Sequence, residues 1–151
     1  MRVIVTGASP GIGGSTIRKL AEKANQKGEK LQIAACEITL TDDLKSLADE
    51  VERLGADIKV LTGDLSEPEC PGKLVNDALK AFGGLDAVVS NAGMTSPAPL
   101  IDLPVSKWDK LLNVNTRATL LLAQAAHSAL KDSKGALVAV ASMSGMGAHT
   151  G

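Results

Sequence analysis

The feature that most constrains the fold is a glycine-rich turn near the start of the chain, TGASPGIG at residues 6–13. It follows an apolar run at residues 3–5 and precedes a helical pattern, so the predicted order is strand, turn, helix. Glycine reaches backbone conformations that a Cβ forbids, and it lets a ligand approach the backbone closely. The following helix directs its unpaired N–H groups and positive dipole end at the same place. The turn predicts a site for a dinucleotide or similar phosphate ligand, or simply a tight connection.

The spacing of the glycines separates this turn from two common phosphate-binding motifs. A P-loop ends in Gly-Lys-Ser or Gly-Lys-Thr, whereas Ser15 here follows two glycines with no lysine between them. The pattern G-x-x-x-G-x-G, filled by Gly7, Gly11 and Gly13, also differs from the G-x-G-x-x-G of the commonest dinucleotide folds. With Thr6 in front, the motif resembles that of the short-chain dehydrogenase/reductase family.

Five short apolar runs alternate with helical patterns along the chain. The runs lie at residues 3–6, 31–36, 58–61, 85–89 and 136–141. Such alternation is typical of a parallel α/β sheet built from strand–helix–strand crossovers. We therefore expect an α/β fold, a Rossmann-like doubly wound parallel sheet with strand order 3-2-1-4-5, formed by a single NAD(P)-binding domain over residues 1–151.

Helical patterns occupy the connections between these runs. The first pattern covers about residues 13–27, and Thr41 is expected to cap the second helix. Ser66 is expected to cap the third, with Pro68 in its first turn. The longest helix is predicted from about residue 106 to residue 131.

Composition excludes several classes of protein. Hydrophobic residues make up 44% and charged residues 22%, and the net charge of −1 comes with no block of like charge, so no nucleic-acid or membrane-surface partner is expected. No apolar run reaches membrane-spanning length, and the first strand begins too early for a signal peptide, so we expect a cytoplasmic protein. Cys36 and Cys70 lie outside any C-x-x-C pattern, which predicts reduced thiols and no metal site.

Polar and glycine residues concentrate where each predicted strand ends. In an open parallel α/β sheet, ligands bind at the carboxyl ends of the strands, so several independent loops converge on one surface. The candidate cofactor-binding residues are Gly7, Ser9, Gly11, Ile12, Gly13, Glu37, Asp64, Leu65, Asn91, Ala92 and Gly93.

Glu37, which follows the second strand, bears on the identity of the cofactor. A carboxylate there can accept hydrogen bonds from both hydroxyls of an adenosine ribose, and it would repel a 2′-phosphate. Pro10 agrees, because family members that prefer NADP often carry a basic residue at that turn position. We therefore expect NAD rather than NADP, although a solvated glutamate at a strand end is the simpler alternative.

The resemblance implies roles for other residues. It implies that Asp64 contacts the adenine ring and that the N-A-G sequence at residues 91–93 borders the cofactor. Asn115 matches the asparagine that helps to hold a water molecule in the proton relay. Ser142 matches the serine that orients the substrate carbonyl or hydroxyl, and Ser144 fits this role less well. Without the resemblance, Asp64 is equally well explained as a helix-entry residue, and Asn115 as part of an exposed polar face.

The tyrosine and lysine of the family's Y-x-x-x-K motif are absent from this sequence. Hydride transfer between nicotinamide C4 and a carbinol or carbonyl carbon needs a group that exchanges the hydroxyl proton, and in the family this group is the tyrosine. The chain contains no tyrosine, and no lysine follows Lys134. The family's spacing from Ser142 would place the tyrosine just past Gly151. We therefore expect residues 1–151 to be an amino-terminal part that lacks the family's last strands and is inactive alone.

Three functions fit this sequence. The first is an NAD-dependent oxidoreductase of the short-chain dehydrogenase type, which acts on an alcohol or ketone as a homo-oligomer (a dimer or homotetramer) or with a complementing C-terminal polypeptide. The second is a non-catalytic NAD(H)-binding module or half of a heteromer, which the missing tyrosine favours. The third is an NADP-dependent reductase. The identity of the substrate stays open.

Overall fold

The computed structural model of this chain describes residues 1–143. The strands are β1 (Arg2–Thr6), β2 (Gln32–Glu37), β3 (Asp57–Thr62), β4 (Ala87–Ser90) and β5 (Ala136–Ala139). The α-helices are α1 (Ile12–Lys27), α2 (Asp42–Arg53), α3 (Cys70–Phe82), α4 (Val105–Leu112) and α5 (Ala118–Ser133). A short 3₁₀ segment (Leu100–Asp102) precedes α4, and a π-helical segment (Asn113–Arg117) joins α4 to α5.

The five strands form one parallel sheet in the order β3-β2-β1-β4-β5. This confirms the predicted fold class and strand order. The register keeps the ends of neighbouring strands level, since Thr6 pairs with Cys36 and Cys36 pairs with Leu61. The connections that follow the strands therefore begin at a common carboxyl edge.

Alternate residues of each strand face opposite sides of the sheet, and each side has its own hydrophobic core. Val3, Val5 and Ile33 pack on one side with buried residues of α1 and α2. Ile4 and Ala34 pack on the other side with buried residues of α3 and α5. This two-sided burial explains why the central strands are continuous apolar runs rather than alternating ones.

The start of α3 differs from the sequence prediction. Helix α3 begins at Cys70 with Pro71 in its first turn, so the expected cap at Ser66 is wrong. The reason is local competition from Asp64, whose Oδ1 accepts a hydrogen bond from the Ser66 N–H at 2.8 Å while its carbonyl accepts from the Glu67 N–H at 3.0 Å. Short polar side chains that bond to nearby backbone in this way stabilise turns at the expense of helix. The cap at Thr41 is confirmed, since its Oγ1 accepts from the Leu44 N–H at 3.2 Å.

The longest predicted helix is interrupted in the structure. The helical path from Val105 to Ser133 contains the π-helical segment Asn113–Arg117, where the backbone winds more loosely than in an α-helix. Strand β5 ends at Ala139, two residues before the predicted end, although the Val140 N–H still donates to the carbonyl of Ser90 at 2.9 Å.

Two leucines of α5 test how much the helix contributes to the core. Leu122 is fully buried against the sheet, whereas Leu120 is 57% exposed on the same helix. Leu122→Ala is expected to lower the free energy of unfolding by about 2–5 kcal/mol, because it leaves a cavity in a close-packed core. Leu120→Ala is the matched control, and urea unfolding should show a change several times smaller. Equal losses for the two variants would contradict this packing.

Candidate functional site

The glycine turn between β1 and α1 is shaped by close contacts within the protein. Gly7 and Gly11 have positive φ angles of 64° and 107°, a region that side chains with a Cβ rarely adopt. A Cβ on Gly13 would collide with the carbonyl oxygen of Gly7, and one on Gly14 would lie 2.8 Å from the carbonyl oxygen of Ser9. The turn therefore needs glycine to close, whatever ligand it holds.

The end of β4 holds this turn in place through Thr6 and Asn91. The fully buried Thr6 hydroxyl accepts hydrogen bonds from the backbone N–H groups of Asn91 at 3.0 Å and Ala92 at 3.1 Å. In return, the Asn91 side-chain amide donates to the carbonyl oxygens of Thr6 and Gly7, both at 3.0 Å. The N-A-G sequence thus links the carboxyl end of β4 to that of β1, the neighbouring strand at the centre of the sheet.

Glu37 lies beside the glycine turn. Its Oε2 accepts a hydrogen bond from the Ser9 N–H at 3.1 Å, and its Oε1 accepts from the Ile38 N–H at 3.0 Å. A carboxylate can accept about four hydrogen bonds, so each oxygen keeps a further lone pair. The Ser9 hydroxyl lies 3.4 Å from that of Thr41, which links the turn to the cap of α2.

A cavity of about 240 Å³ opens next to Glu37. Its walls come from the ends of β2 and β3, α3, the loop after β4, α4 and the π-helical segment. The lining residues are Cys36, Glu37, Ile38, Gly63, Asp64, Leu65, Leu74, Ala92, Gly93, Met94, Lys110 and Val114. Five of the predicted cofactor-binding residues therefore meet here, namely Glu37, Asp64, Leu65, Ala92 and Gly93.

Asp64 forms the polar wall of this cavity together with Lys110. Its Oδ1 accepts from the Ser66 N–H at 2.8 Å, and its Oδ2 accepts from the Lys110 ammonium at 3.2 Å. The Ser66 N–H, and to a smaller degree Lys110, hold the pKa of the Asp64 carboxyl below its ordinary value. Sequence reasoning missed Lys110 and Val114, although their spacing of four residues was a usable signal for one helix face.

The other predicted cofactor-binding residues lie along the turn, except Asn91, which follows β4 and contacts the turn from there. A smaller cavity of about 180 Å³ beside Ser9, Pro10 and Gly11 separates the starts of α1 and α2. Ile12, the first residue of α1, is 62% exposed. The turn adjoins the larger cavity through the hydrogen bond between Ser9 and Glu37, and it is exposed to solvent at Ile12.

Asn115 anchors the loop that follows β4. Its Oδ1 accepts a hydrogen bond from the Met94 N–H and its Nδ2 donates to the Met94 carbonyl, both at 2.9 Å. This amide pairs with the backbone much as a neighbouring strand would, and it does so from within the π-helical segment. Single-turn π-helical insertions occur often at functional sites.

Ser142 lies just beyond β5, three residues after the pair formed by Ser90 and Ala139. It is exposed and belongs to the same carboxyl edge as Asn91. The alternative, Ser144, is outside the described residues.

The two cysteines are free thiols, in agreement with the sequence prediction. Burial raises the pKa of the Cys36 thiol to about 12 and also raises that of Cys70. Among residues 1–143, no group of three or more His, Cys, Asp or Glu side chains is arranged to hold a metal ion. Within the same range, none of the helices has both the length and the apolar character needed to cross a membrane.

Comparisons with known proteins agree with this geometry. The sequence profile of the family described as short chain dehydrogenase matches residues 1–151. The chain belongs to the short-chain dehydrogenase family. It is 34% identical over 143 residues to an uncharacterized oxidoreductase of Staphylococcus aureus strain N315, a match that covers 94% of this chain and 58% of that protein.

Two solved structures resemble this member of the family closely. A 3-ketoacyl-ACP reductase from Sinorhizobium meliloti 1021 is 33% identical with a TM-score of 0.83, and the match covers 95% of this chain and 54% of that one. A short chain dehydrogenase from Burkholderia cenocepacia J2315 in complex with NADP is 32% identical with a TM-score of 0.77, covering 85% and 50%. The present chain thus spans 50–58% of the length of these three relatives.

Gly13 provides a test of the steric origin of the turn. Gly13→Ala is expected to lower the free energy of unfolding by about 1–3 kcal/mol or more, because the new Cβ collides with the Gly7 carbonyl and forces the backbone to shift. Gly72→Ala in α3 is the matched control, since nothing lies within 4 Å of the position of its Cβ. That control should be neutral or stabilise by about 0.5–1 kcal/mol. Urea unfolding measures both, and a stable Gly13→Ala variant would refute the steric account.

Proposed function

We propose that residues 1–151 form a single NAD-binding domain of a short-chain dehydrogenase that interconverts an alcohol and a ketone. The observation that carries this proposal is the position of Glu37, which lies between the glycine turn and the 240 Å³ cavity and accepts a hydrogen bond from the turn itself. A dinucleotide has a diphosphate in the middle and an adenosine at one end. The glycine turn and the cavity, which would hold these two groups, are likewise adjacent. When bound, NAD supplies the hydride acceptor of the reaction.

The proposed adenosine end lies in the cavity. The free lone pairs of Glu37 would accept hydrogen bonds from the two ribose hydroxyls, and its charge would repel a 2′-phosphate. Asp64 would accept from the adenine ring, with Leu65 and Gly93 supplying apolar and backbone surface on either side. This set of acceptors fits an adenosine that lacks a 2′-phosphate.

The proposed diphosphate end lies on the glycine turn. Gly7, Ser9, Gly11, Ile12 and Gly13 would surround it, with backbone N–H groups and the positive end of α1 offsetting its charge. The turn fits this role because a Cβ on Gly11 would have no atom of the protein within 4 Å, so the surface there is open to a ligand. Asn91, Ala92 and Gly93 would support the turn from the β4 side.

Asn115 and Ser142 are the proposed contributors to catalysis. Ser142 would orient the substrate oxygen, and Asn115, by fixing the loop at Met94, would help to hold a water molecule that relays protons. A tyrosine and lysine that exchange the substrate proton would have to come from polypeptide outside residues 1–151, either in the same protein or in a complementing one. We also propose a cytoplasmic protein that forms a dimer or tetramer and binds neither nucleic acid nor membrane.

Two alternatives each have one observation in their favour. The Burkholderia cenocepacia structure contains NADP, which favours an NADP-dependent reductase. The absence of tyrosine from the chain favours a module that binds NAD(H) without catalysis, for example as half of a heteromer. Glu37 argues against the first alternative, and turnover by the intact protein would exclude the second.

Glu37 provides the test of cofactor choice. Wild-type protein is expected to bind NAD more tightly than NADP. Glu37→Gln should weaken NAD binding about tenfold or more and reduce the difference between the affinities for NAD and NADP. Hydrogen bonds to a charged group contribute about 1.5–3 kcal/mol each, which is the basis for this magnitude. Isothermal titration calorimetry with both cofactors makes the measurement.

Glu52→Gln, on the exposed side of α2, is the control for charge alone and should leave both affinities unchanged. Thermal unfolding of each variant separates lost binding from a loosened turn, because Glu37 also accepts from Ser9. Tighter binding of NADP than NAD by the wild type would establish the reductase alternative instead.

The missing proton-exchange group leads to a separate prediction. A polypeptide of residues 1–151 that binds NAD is expected to show no oxidation of alcohols, because a phenol activated by a lysine is not available in it. Absorbance of NADH at saturating cofactor, across a panel of primary and secondary alcohols, measures this. Turnover at rates usual for the family by this polypeptide alone would contradict the prediction.

A further inference from the structure

The side chains of Ser90 and Thr119 form a hydrogen bond that lies outside the sequence motifs. Ser90 Oγ and Thr119 Oγ1 are 2.8 Å apart, which is the usual distance for a bond between two hydroxyl groups, and either hydroxyl can donate. Ser90 is the last residue of β4 and is 6% exposed, whereas Thr119 lies in the first turn of α5. The bond therefore joins the carboxyl end of β4 to the helix that packs against this strand.

Ser90 is also the residue through which β4 holds the end of β5. It pairs with Ala139 in the parallel register, and its carbonyl oxygen accepts a hydrogen bond from the Val140 N–H at 2.9 Å. Val140 comes two residues before Ser142, which we propose to orient the substrate oxygen. The position of Ser142 at the carboxyl edge therefore depends on the position of Ser90.

The helical path that contains Thr119 also contains Asn115, about one turn earlier. Asn115 forms two hydrogen bonds of 2.9 Å with the backbone of Met94, while Thr119 bonds to Ser90. This path thus contacts the chain on both sides of the N-A-G sequence at residues 91–93. The two proposed catalytic residues are linked through it, because Asn115 belongs to the path itself and Ser142 follows the strand that Ser90 holds.

The π-helical segment explains why a directional contact is needed here. Asn115 lies within the segment and Thr119 lies just after it. A π-helical insertion adds a residue to one turn, so it changes the rotation of the residues before it relative to those after it. Buried neighbours such as Leu122 hold α5 against the sheet by hydrophobic packing, which is not directional. The hydrogen bond of Thr119 specifies the orientation that packing alone leaves open.

We propose that Thr119 is a positioning residue that, through Ser90, fixes the arrangement of Ser142 relative to Asn115. The inference rests on the proposed function, since it assumes that these two residues contribute to the reaction. Catalysis is sensitive to such an arrangement, because a displacement of about 1 Å can lower a rate about a hundredfold.

Cofactor binding should depend little on Thr119. This residue is not among the described residues that line the cavity beside Glu37 or the one beside the glycine turn. The Thr6 hydroxyl, moreover, accepts from the backbone N–H groups of Asn91 and Ala92 whether or not Thr119 is present. Loss of the Thr119 hydroxyl should therefore affect turnover and not the affinity for NAD.

The test uses the intact protein, together with the polypeptide that supplies its tyrosine and lysine. The turnover number kcat is measured from NADH absorbance with the panel of primary and secondary alcohols, and the dissociation constant of NAD by isothermal titration calorimetry. Thr119→Val removes the hydroxyl, and Thr119→Ser keeps it. Ser128→Ala is the matched control, because it removes an exposed hydroxyl from the same helix.

Thr119→Val is expected to lower kcat about ten- to hundredfold while the dissociation constant of NAD stays the same. Exchange of the Val140 amide hydrogen with solvent, measured by NMR, should become faster in this variant, because its acceptor on Ser90 is less well fixed. Thr119→Ser should keep most of the turnover, and Ser128→Ala should leave all three quantities unchanged.

A double variant separates positioning from stability. Thr119→Val alone removes the hydrogen-bond partner of a buried hydroxyl, which destabilises the fold. Ser90→Ala combined with Thr119→Val removes both hydroxyls, and replacing both partners of a buried hydrogen bond by apolar groups can be nearly neutral. The melting temperature of the double variant should therefore return toward that of the wild type while kcat stays low. Recovery of kcat together with the melting temperature would show a structural role and overturn the proposal.

The outcomes also separate this inference from the proposed function. If the wild type oxidises an alcohol and Thr119→Val keeps the wild-type kcat, or loses NAD affinity in proportion to kcat, the positioning role is wrong while the proposed function stands. If the wild type binds no NAD or oxidises none of the alcohols, the proposed function fails and the inference fails with it. Loss of turnover in Thr119→Val at unchanged NAD affinity, with recovery in Thr119→Ser, supports the positioning role.

Discussion

The close approach of the glycine turn to the end of β4 is the contact on which the rest of the site depends. Gly7 lies so near to Asn91 and Ala92 that a Cβ there would come within 2.9 Å of both. The Thr6 hydroxyl and the Asn91 amide form hydrogen bonds with the backbone groups at this point. These bonds fix the carboxyl ends of β1 and β4 relative to each other. The loop after β4, which lines the cavity at residues 92–94, begins at this contact.

The parallel register places the ends of β1, β2 and β3 on one surface of the protein. Because Thr6, Cys36 and Leu61 are paired across three strands, the chain leaves the sheet at the same level after β1, β2 and β3. Residues far apart in sequence are then brought into contact, and the carboxylate of Glu37 reaches the N–H of Ser9 across the gap. The convergence of unrelated loops follows from topology rather than from any one motif.

Local patterns made the fold predictable, while contacts between distant elements did not follow from them. The strands and the Thr41 cap could be predicted because apolar runs and capping residues act over a few positions, and the strand order follows from the topology usual for a doubly wound parallel sheet. The start of α3 could not, since the Asp64 side chain competes for the backbone of Ser66. Lys110 resembles an ordinary surface lysine until the fold sets it beside a carboxylate 46 residues earlier.

The Glu37 carboxylate contributes both to the proposed cofactor site and to the stability of the glycine turn. This carboxylate, which we propose to select the cofactor, also accepts the N–H of Ser9 and so supports the turn before any ligand arrives. A basic residue in its place would remove the repulsion of a 2′-phosphate but would leave the Ser9 N–H without that acceptor. Losing a hydrogen bond between this part-buried N–H and a charged acceptor costs about 1.5–3 kcal/mol, so a second substitution that restores an acceptor to the turn would offset the loss.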